Sequence, residues 1–230
     1  MHVHVKEGVY ELEKLNKILD EGIKKGITTF LLLDHGDRIS PKKTAVLDNN
    51  NIPTFFANVD KVKREGIQVY KGIEVDFSYD EKFREEVIKT ITTNKFDYVI
   101  GSVHSMNDLS EEMYYQAVID MISVYPIDII GHIRMNDHYM NHLERFKIIM
   151  DICRKKNIMI EINTSTRSLW NEEQLEFMHN LMKEYDVKYT IGSDAHKIEE
   201  IAVNYDLVKD YFNKKECFLN DKLYKRKNYI

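Results

Sequence analysis

The chain has 230 residues, 43% of them hydrophobic, enough for one sizeable core, and residues 1–230 are read as a single domain. Lys and Arg number 33 against 38 Asp and Glu, a formal charge of −5, which speaks against a nucleic-acid partner because such binding depends on basic surface to neutralise phosphates. Two cysteines, Cys153 and Cys217, make no disulfide framework, and without a span-length apolar run or a charged-then-apolar leader the chain is expected to be soluble and cytoplasmic, with no membrane role.

Taken in order, short β-branched runs alternate with amphipathic segments. The runs cover residues 1–5, 27–34, 67–74, 96–103, 127–133, 158–163 and 187–191, which makes seven expected strands. After the first, Leu12, Leu15, Leu19 and Ile23 form a helical stripe that Gly26 is placed to end. Residues 36–56 break the rhythm: the stretch is long, polar and irregular, holds Pro41 and Pro53, and reads as a lid, a binding loop or a partly disordered segment. Phe83, Val87 and Ile91 form a second stripe, and Leu143, Phe146, Met150 and Cys153 a third. Leu175, Met178, Met182 and Tyr185 form a fourth, with Asn171 and Gln174 at capping-box positions. Residues 222–230, with Lys225, Arg226 and Lys227, read as a solvated tail. A repeated strand–helix unit implies parallel strands with helical crossovers, either an open doubly wound sheet or a closed barrel.

Nine histidines punctuate this pattern, and most fall at one place in it. His2 and His4 are two apart on the first strand and share a face. His35 follows the second run, Glu74 ends the third, His104 follows the fourth, and His132 lies at the end of the fifth. Asp194 and His196 follow the seventh, whereas the sixth ends in Glu161-Ile162-Asn163. A single histidine after a buried strand is more often a hydrogen-bonded structural residue than a ligand. Independent core histidines, however, have no reason to occupy the same end of successive strands, and in a β/α barrel those ends ring one mouth. Imidazole and carboxylate without thiolate suit Zn, Mn or Fe, and eight candidates exceed what one zinc takes, so two or three divalent ions are expected, with a carboxylate such as Glu74 as a bridge. His138 and His142 lack the Glu of a metalloprotease motif and read as surface residues, and His179 reads as structural.

His-Val-His, Leu-Asp-His-Gly, Gly-Ile-Glu-Val-Asp, Gly-Ser-Val-His, Ile-Gly-His, Glu-Ile-Asn-Thr-Ser and Gly-Ser-Asp-Ala-His, in this order from residue 2 to about residue 200, resemble the polymerase-and-histidinol-phosphatase (PHP) superfamily and its histidinol-phosphatase branch most. The resemblance implies an α/β fold, a distorted (β/α)7 barrel. It implies that His2, His4, Glu74 and Asp194 hold one ion, that Glu74 bridges to a second held by His104 and His132, and that His35 and His196 hold a third. Family members often add a His to that third set shortly after the first motif. Here residues 6–10 lack one, and Glu7 is the substitute the resemblance suggests. The chain opens one residue before the first ligand, so the first strand is expected to be very short.

Phosphate-ester hydrolysis fits such a cluster, with a small phosphorylated substrate, L-histidinol phosphate by resemblance. His35, Asp194 and His196 are then the candidate catalytic groups. Arg167, four residues after Asn163, and Arg134, two after His132, are the candidate phosphate-binding residues, with Arg38 a weaker one. The alternatives are a phosphotyrosine or other phosphoester substrate, an amidohydrolase-like barrel, which would carry lysine or glutamate where His104 stands, and a non-catalytic metal-binding barrel.

Overall fold

The computed structural model describes residues 1–9, 11–36, 47–104 and 110–214. All seven expected strands form: β1 His2–His4, β2 Thr29–Leu33, β3 Gln68–Asp76, β4 Tyr98–Ser102, β5 Ile129–Ile130, β6 Met159–Asn163 and β7 Tyr189–Gly192. They pair in parallel in sequence order, and a bridge between Val3 and Ala195, with His4 N–H donating to the Ala195 carbonyl at 3.0 Å, brings the last edge back to the first. The result is a nearly closed, distorted (β/α)7 barrel.

The helices among the described residues are α1 Leu12–Lys24, α2 Ile52–Lys61, α3 Glu81–Thr93, α4 Glu111–Val124, α5 Leu143–Lys156, α6 Glu172–Tyr185 and α7 Tyr205–Lys214. Gly26 ends α1 at φ +78°, where a β-carbon is disfavoured, and Ile27 N–H closes back onto the Gly22 carbonyl at 3.0 Å. At α6, Asn171 and Gln174 form the expected capping box. Helix α2 corrects the reading of 36–56 as irregular throughout. Residues 52–56 are helical, with Pro53 in the first turn, where its missing N–H costs nothing, and Ile52, Phe55 and Val59 buried. Helix α4 shows no stripe in sequence because Tyr114, Tyr115, Ala117, Val118, Ile119, Met121 and Ile122 bury it nearly all round. Residues 37–46 of the predicted loop, including Arg38, together with residues 105–109, Cys217 and the tail 222–230, lie outside the described residues. Among the described residues no helix is long and apolar enough to cross a membrane.

Strand alternation divides the interior in two. Outward residues such as Val3, Phe30, Leu32, Ile73, Val75, Val99 and Ile160 pack under the helices. Inward residues Leu31, Leu33, Tyr98, Ile100, Ile129 and Met159 form a separate apolar plug inside the barrel. The same inward face, at and beyond the C-terminal ends of the strands, is where the candidate ligands stand.

Candidate metal centre

The register of the strands sets the site. His2 and His4 point inward on β1, paired beside Leu31 and Leu33. Glu74 points inward on β3, His35 bridges to it from the residue pair just past β2, and Gly36 N–H donates to its carbonyl at 2.7 Å. His104 lies two residues past β4 and its N–H donates to Asp76 Oδ1 at 2.8 Å. His132 and Asp194 each lie two residues past a strand and take left-handed backbone conformations, φ +25° and +48°. A β-carbon makes that conformation cost of the order of 1–3 kcal/mol. The turns aim both side chains back into the mouth instead of along the strand.

The ligand atoms converge in three groups: His2, His4, Glu74 and Asp194; Glu74, His104 and His132; and His4, His35 and His196. In the first, His4 Nε2 lies 3.2 Å from His2 Nε2, 3.0 Å from Asp194 Oδ1 and 3.1 Å from Glu74 Oε2, with His2 Nε2 3.7 Å from Asp194 Oδ1. Four atoms tetrahedral about an ion with bonds of about 2.0–2.1 Å stand roughly 3.3 Å apart, a spacing close to the one seen, so this group could hold an ion. In the second group, Glu74 Oε1 lies 3.1 Å from His132 Nε2 and 3.5 Å from His104 Nε2. Glu74 thus turns one oxygen to each group. The third group shares His4 with the first and, among the described residues, brings His35 and His196 of its own; the His4 and His196 rings stack at 4.1 Å. Buried Glu74 Oε2 and Asp194 Oδ1 accept no aligned hydrogen bond despite imidazole nitrogens within 3.3 Å. Buried oxygens left so are costly unless a cation meets them, and the donor set fits a divalent metal.

Electrostatics say the same. Burial would push the Glu74 carboxyl up, but the charges of His35 and His104 and the contacts with His132 and His4 outweigh it and hold Glu74 well below the usual carboxylate range. Burial likewise opposes ionisation of Asp194, and His4 and His2 reverse it. His132 is depressed by burial yet raised on balance to about 9 by Glu74, and His4 is raised by Asp194, Asp34 and Glu74 against the same penalty. Without an ion, protonated imidazoles supply the positive charge that the carboxylates require. Among the outer partners, Ser102 Oγ donates to Glu74 Oε1 at 2.6 Å and Asp34 Oδ1 accepts from the His35 N–H at 2.8 Å.

A cavity of about 280 Å³ opens beside the second group, lined by His104, His132, Arg134, Arg167, Trp170 and Asp194 among others. Both predicted arginines therefore line the same cavity as His104, His132 and Asp194. Arg167 is exposed and in no ion pair among the described residues, whereas Arg134 lies over the Tyr114 ring, 5.4 Å from its centroid. Glu7 falls on the short 3-10 turn Lys6–Val9 that leaves β1, and the expectation for its side chain lies outside the described residues. His142, read as a surface residue, is partly buried and pairs with Glu111 at 2.9 Å and Glu112 at 3.2 Å. His138 sits apart from the centre at the start of the turn Tyr139–His142, and His179 is buried in α6 against Phe212.

Residues 1–165 match the PHP domain model. The chain belongs to the PHP domain family. Among curated relatives, a probable phosphatase of Thermoanaerobacter sp. (strain X514) is 28% identical, over 85% of this chain and 77% of the relative. A probable histidinol-phosphatase of Clostridium acetobutylicum is 27% identical, over 89% and 88%. A solved histidinol phosphate phosphatase of Lactococcus lactis, complexed with Zn, L-histidinol and phosphate, superposes with a TM-score of 0.66 at 21% identity, over 85% and 86% of the two chains. At that identity it speaks for the shared fold alone. The motif reading gave no role to three buried acids beside the PHP-type cluster, Asp34, Asp76 and Glu161; the signal for Glu161 was a glutamate inside the apolar run Met-Ile-Glu-Ile-Asn.

Proposed function

We propose that this metal-dependent phosphatase hydrolyses a small phosphomonoester, with histidinol phosphate the leading candidate, and that residues 1–230 act as one PHP-type unit around two or three divalent ions. The observation that carries this is Glu74, fully buried, with one oxygen facing His4 and the other facing His132 and His104. A bridging carboxylate between two nitrogen-rich groups suits paired Zn, Mn or Fe. His2, His4, Glu74 and Asp194 would hold the first ion, Glu74, His104 and His132 the second, and His35 and His196, with Glu7 as the candidate addition, a third.

Ions held there supply a water nucleophile at neutral pH and neutralise phosphoryl oxygens. The chain's own residues do the rest. Arg167, at the cavity, grips the non-bridging oxygens bidentately, with Arg134 beside it. Asp194 lines both the ligand cluster and the cavity, a position from which its carboxylate accepts the proton of the attacking water. His196 directs Nδ1 to the Asp194 carbonyl at 2.8 Å, which leaves Nε2 for the metal or for proton transfer to the leaving alcohol. The curated relatives and the ligands of the Lactococcus structure support histidinol phosphate as the first substrate to assay.

The test is phosphate release from a panel of phosphomonoesters, histidinol phosphate and phosphotyrosine included, with Zn, Mn and Fe supplied separately and bound metal counted by elemental analysis. Turnover of at least one ester with two or three ions per chain is expected. Metal-loaded protein that releases phosphate from none of them refutes the reading.

A further inference from the structure

We propose that Glu161 is a positioning residue that prepares one ligand in each of two ion groups, setting the tautomer of His2 and anchoring the backbone of His132. The proposal rests on reading those groups as ion sites. Glu161 points inward from β6, has no accessible surface, and belongs to none of the converging ligand sets. Its two oxygens are divided. Oε1 lies 2.6 Å from His2 Nδ1, while Oε2 accepts from His132 N–H at 3.2 Å and from Asn163 Nδ2 at 3.1 Å.

An ionised carboxylate can only accept hydrogen bonds, so at 2.6 Å the proton between the pair belongs to His2 Nδ1. His2 Nε2 is then bare, and it is this nitrogen that faces His4 Nε2 at 3.2 Å and Asp194 Oδ1 at 3.7 Å. The opposite tautomer would set a lone pair against Oε1 and put an N–H into the space where an ion would sit. On the other side, Oε2 holds the N–H of a residue at φ +25°, a conformation that returns to the β region unless something pins it. The neighbouring strand is cut away to admit the carboxylate: a β-carbon on Gly192 would stand 2.0 Å from Glu161 Oε1 and 2.9 Å from His2 Cβ. Glycine there is a condition for Glu161, not a turn requirement.

Glu161→Gln tests the idea because it keeps the shape and removes half of the acceptors. The amide oxygen will settle where two donors meet, at the Oε2 position, which turns the NH2 toward His2 Nδ1 and forces the tautomer with a proton on Nε2. Zinc affinity at the His2 group should fall about 10- to 100-fold, the usual cost of losing such an outer partner, while the His104–His132 group keeps its ion. Titration with zinc at buffered free concentrations reads this without any assay of catalysis. Nitrogen-15 spectra of the imidazoles in zinc-loaded wild-type protein give a second readout that needs no variant: His2 should carry its proton on Nδ1, shifted far downfield by the short hydrogen bond.

A Glu161→Gln protein with unchanged zinc affinity and stoichiometry overturns the proposal, and so does a wild-type spectrum with the His2 proton on Nε2. If the variant does not fold, the wild-type spectrum decides alone. Wild-type protein that takes up no zinc overturns the ion-site reading itself, and this role with it, which separates the two failures.

Discussion

Loading the centre with metal must expel protons, and the structure says how many and at what cost. In the metal-free protein burial depresses His132, but its bond to Glu74 and the charge of that carboxylate raise it to about 9, and His4 stands well above its ordinary value for the same kind of reason. A ring nitrogen binds a metal only when bare. At pH 7 His132 lies two units below its pKa (9 − 7 = 2), so replacing its proton weakens apparent affinity about 100-fold, roughly 2.7 kcal/mol at about 1.36 kcal/mol per unit. His4 adds a second proton. Apparent zinc affinity should therefore climb with pH with a logarithmic slope between one and two from about pH 6.5 to 8.5. Competition against a chelator across that range gives the slope, and calorimetry in two buffers of different ionisation enthalpy counts the protons directly. A flat profile with no buffer dependence would refute the claim that protonated imidazoles stand in for the ions.

The same shifts predict the pH dependence of the chelated protein. His132 has a raised folded pKa, so its contribution is complete below its ordinary 6.5 and lost as pH rises through about 9; Glu74 and Asp194 are lowered, so theirs is complete above their ordinary 4.5 and 3.8 and lost on acidification. Metal-free Tm should accordingly peak between about pH 5 and 6.5, and calorimetry showing a steady rise to pH 9 would contradict it. Glu74→Gln should deplete both ion groups together and drop phosphate release below detection; elemental analysis showing loss of a single ion would deny the bridge. Arg167→Ala removes a charge-assisted contact worth about 1.5–3 kcal/mol, so kcat/KM should fall about 10- to 100-fold with metal content unchanged, and an unaltered value would leave Arg134 as the phosphate clamp. Asn171→Ala should lower stability by about 1 kcal/mol through the lost α6 cap, seen as a lower Tm with kcat intact.

What the amino-acid sequence determined alone is the part that local periodicity can carry. Seven β-branched runs became seven strands, and because side chains alternate strictly along a strand, His2 and His4 were bound to share a face. The capping box at Asn171 and the Gly26 stop were equally local, and equally legible. Helix α2 was obscured by Pro53, which is harmless in a first turn, and α4 by burial on nearly every side, which erases the stripe that periodicity needs. Only the tertiary structure could decide how far apart the ligands stand, that the two oxygens of Glu74 part between two groups, and that His132 and Asp194 turn back through left-handed backbone. The pairing of His2 with Glu161 spans 159 positions of chain, and no local pattern can encode it. It exists because barrel closure brings the first strand against the last ones, and burial of that acid leaves the imidazole as the partner for its inner oxygen.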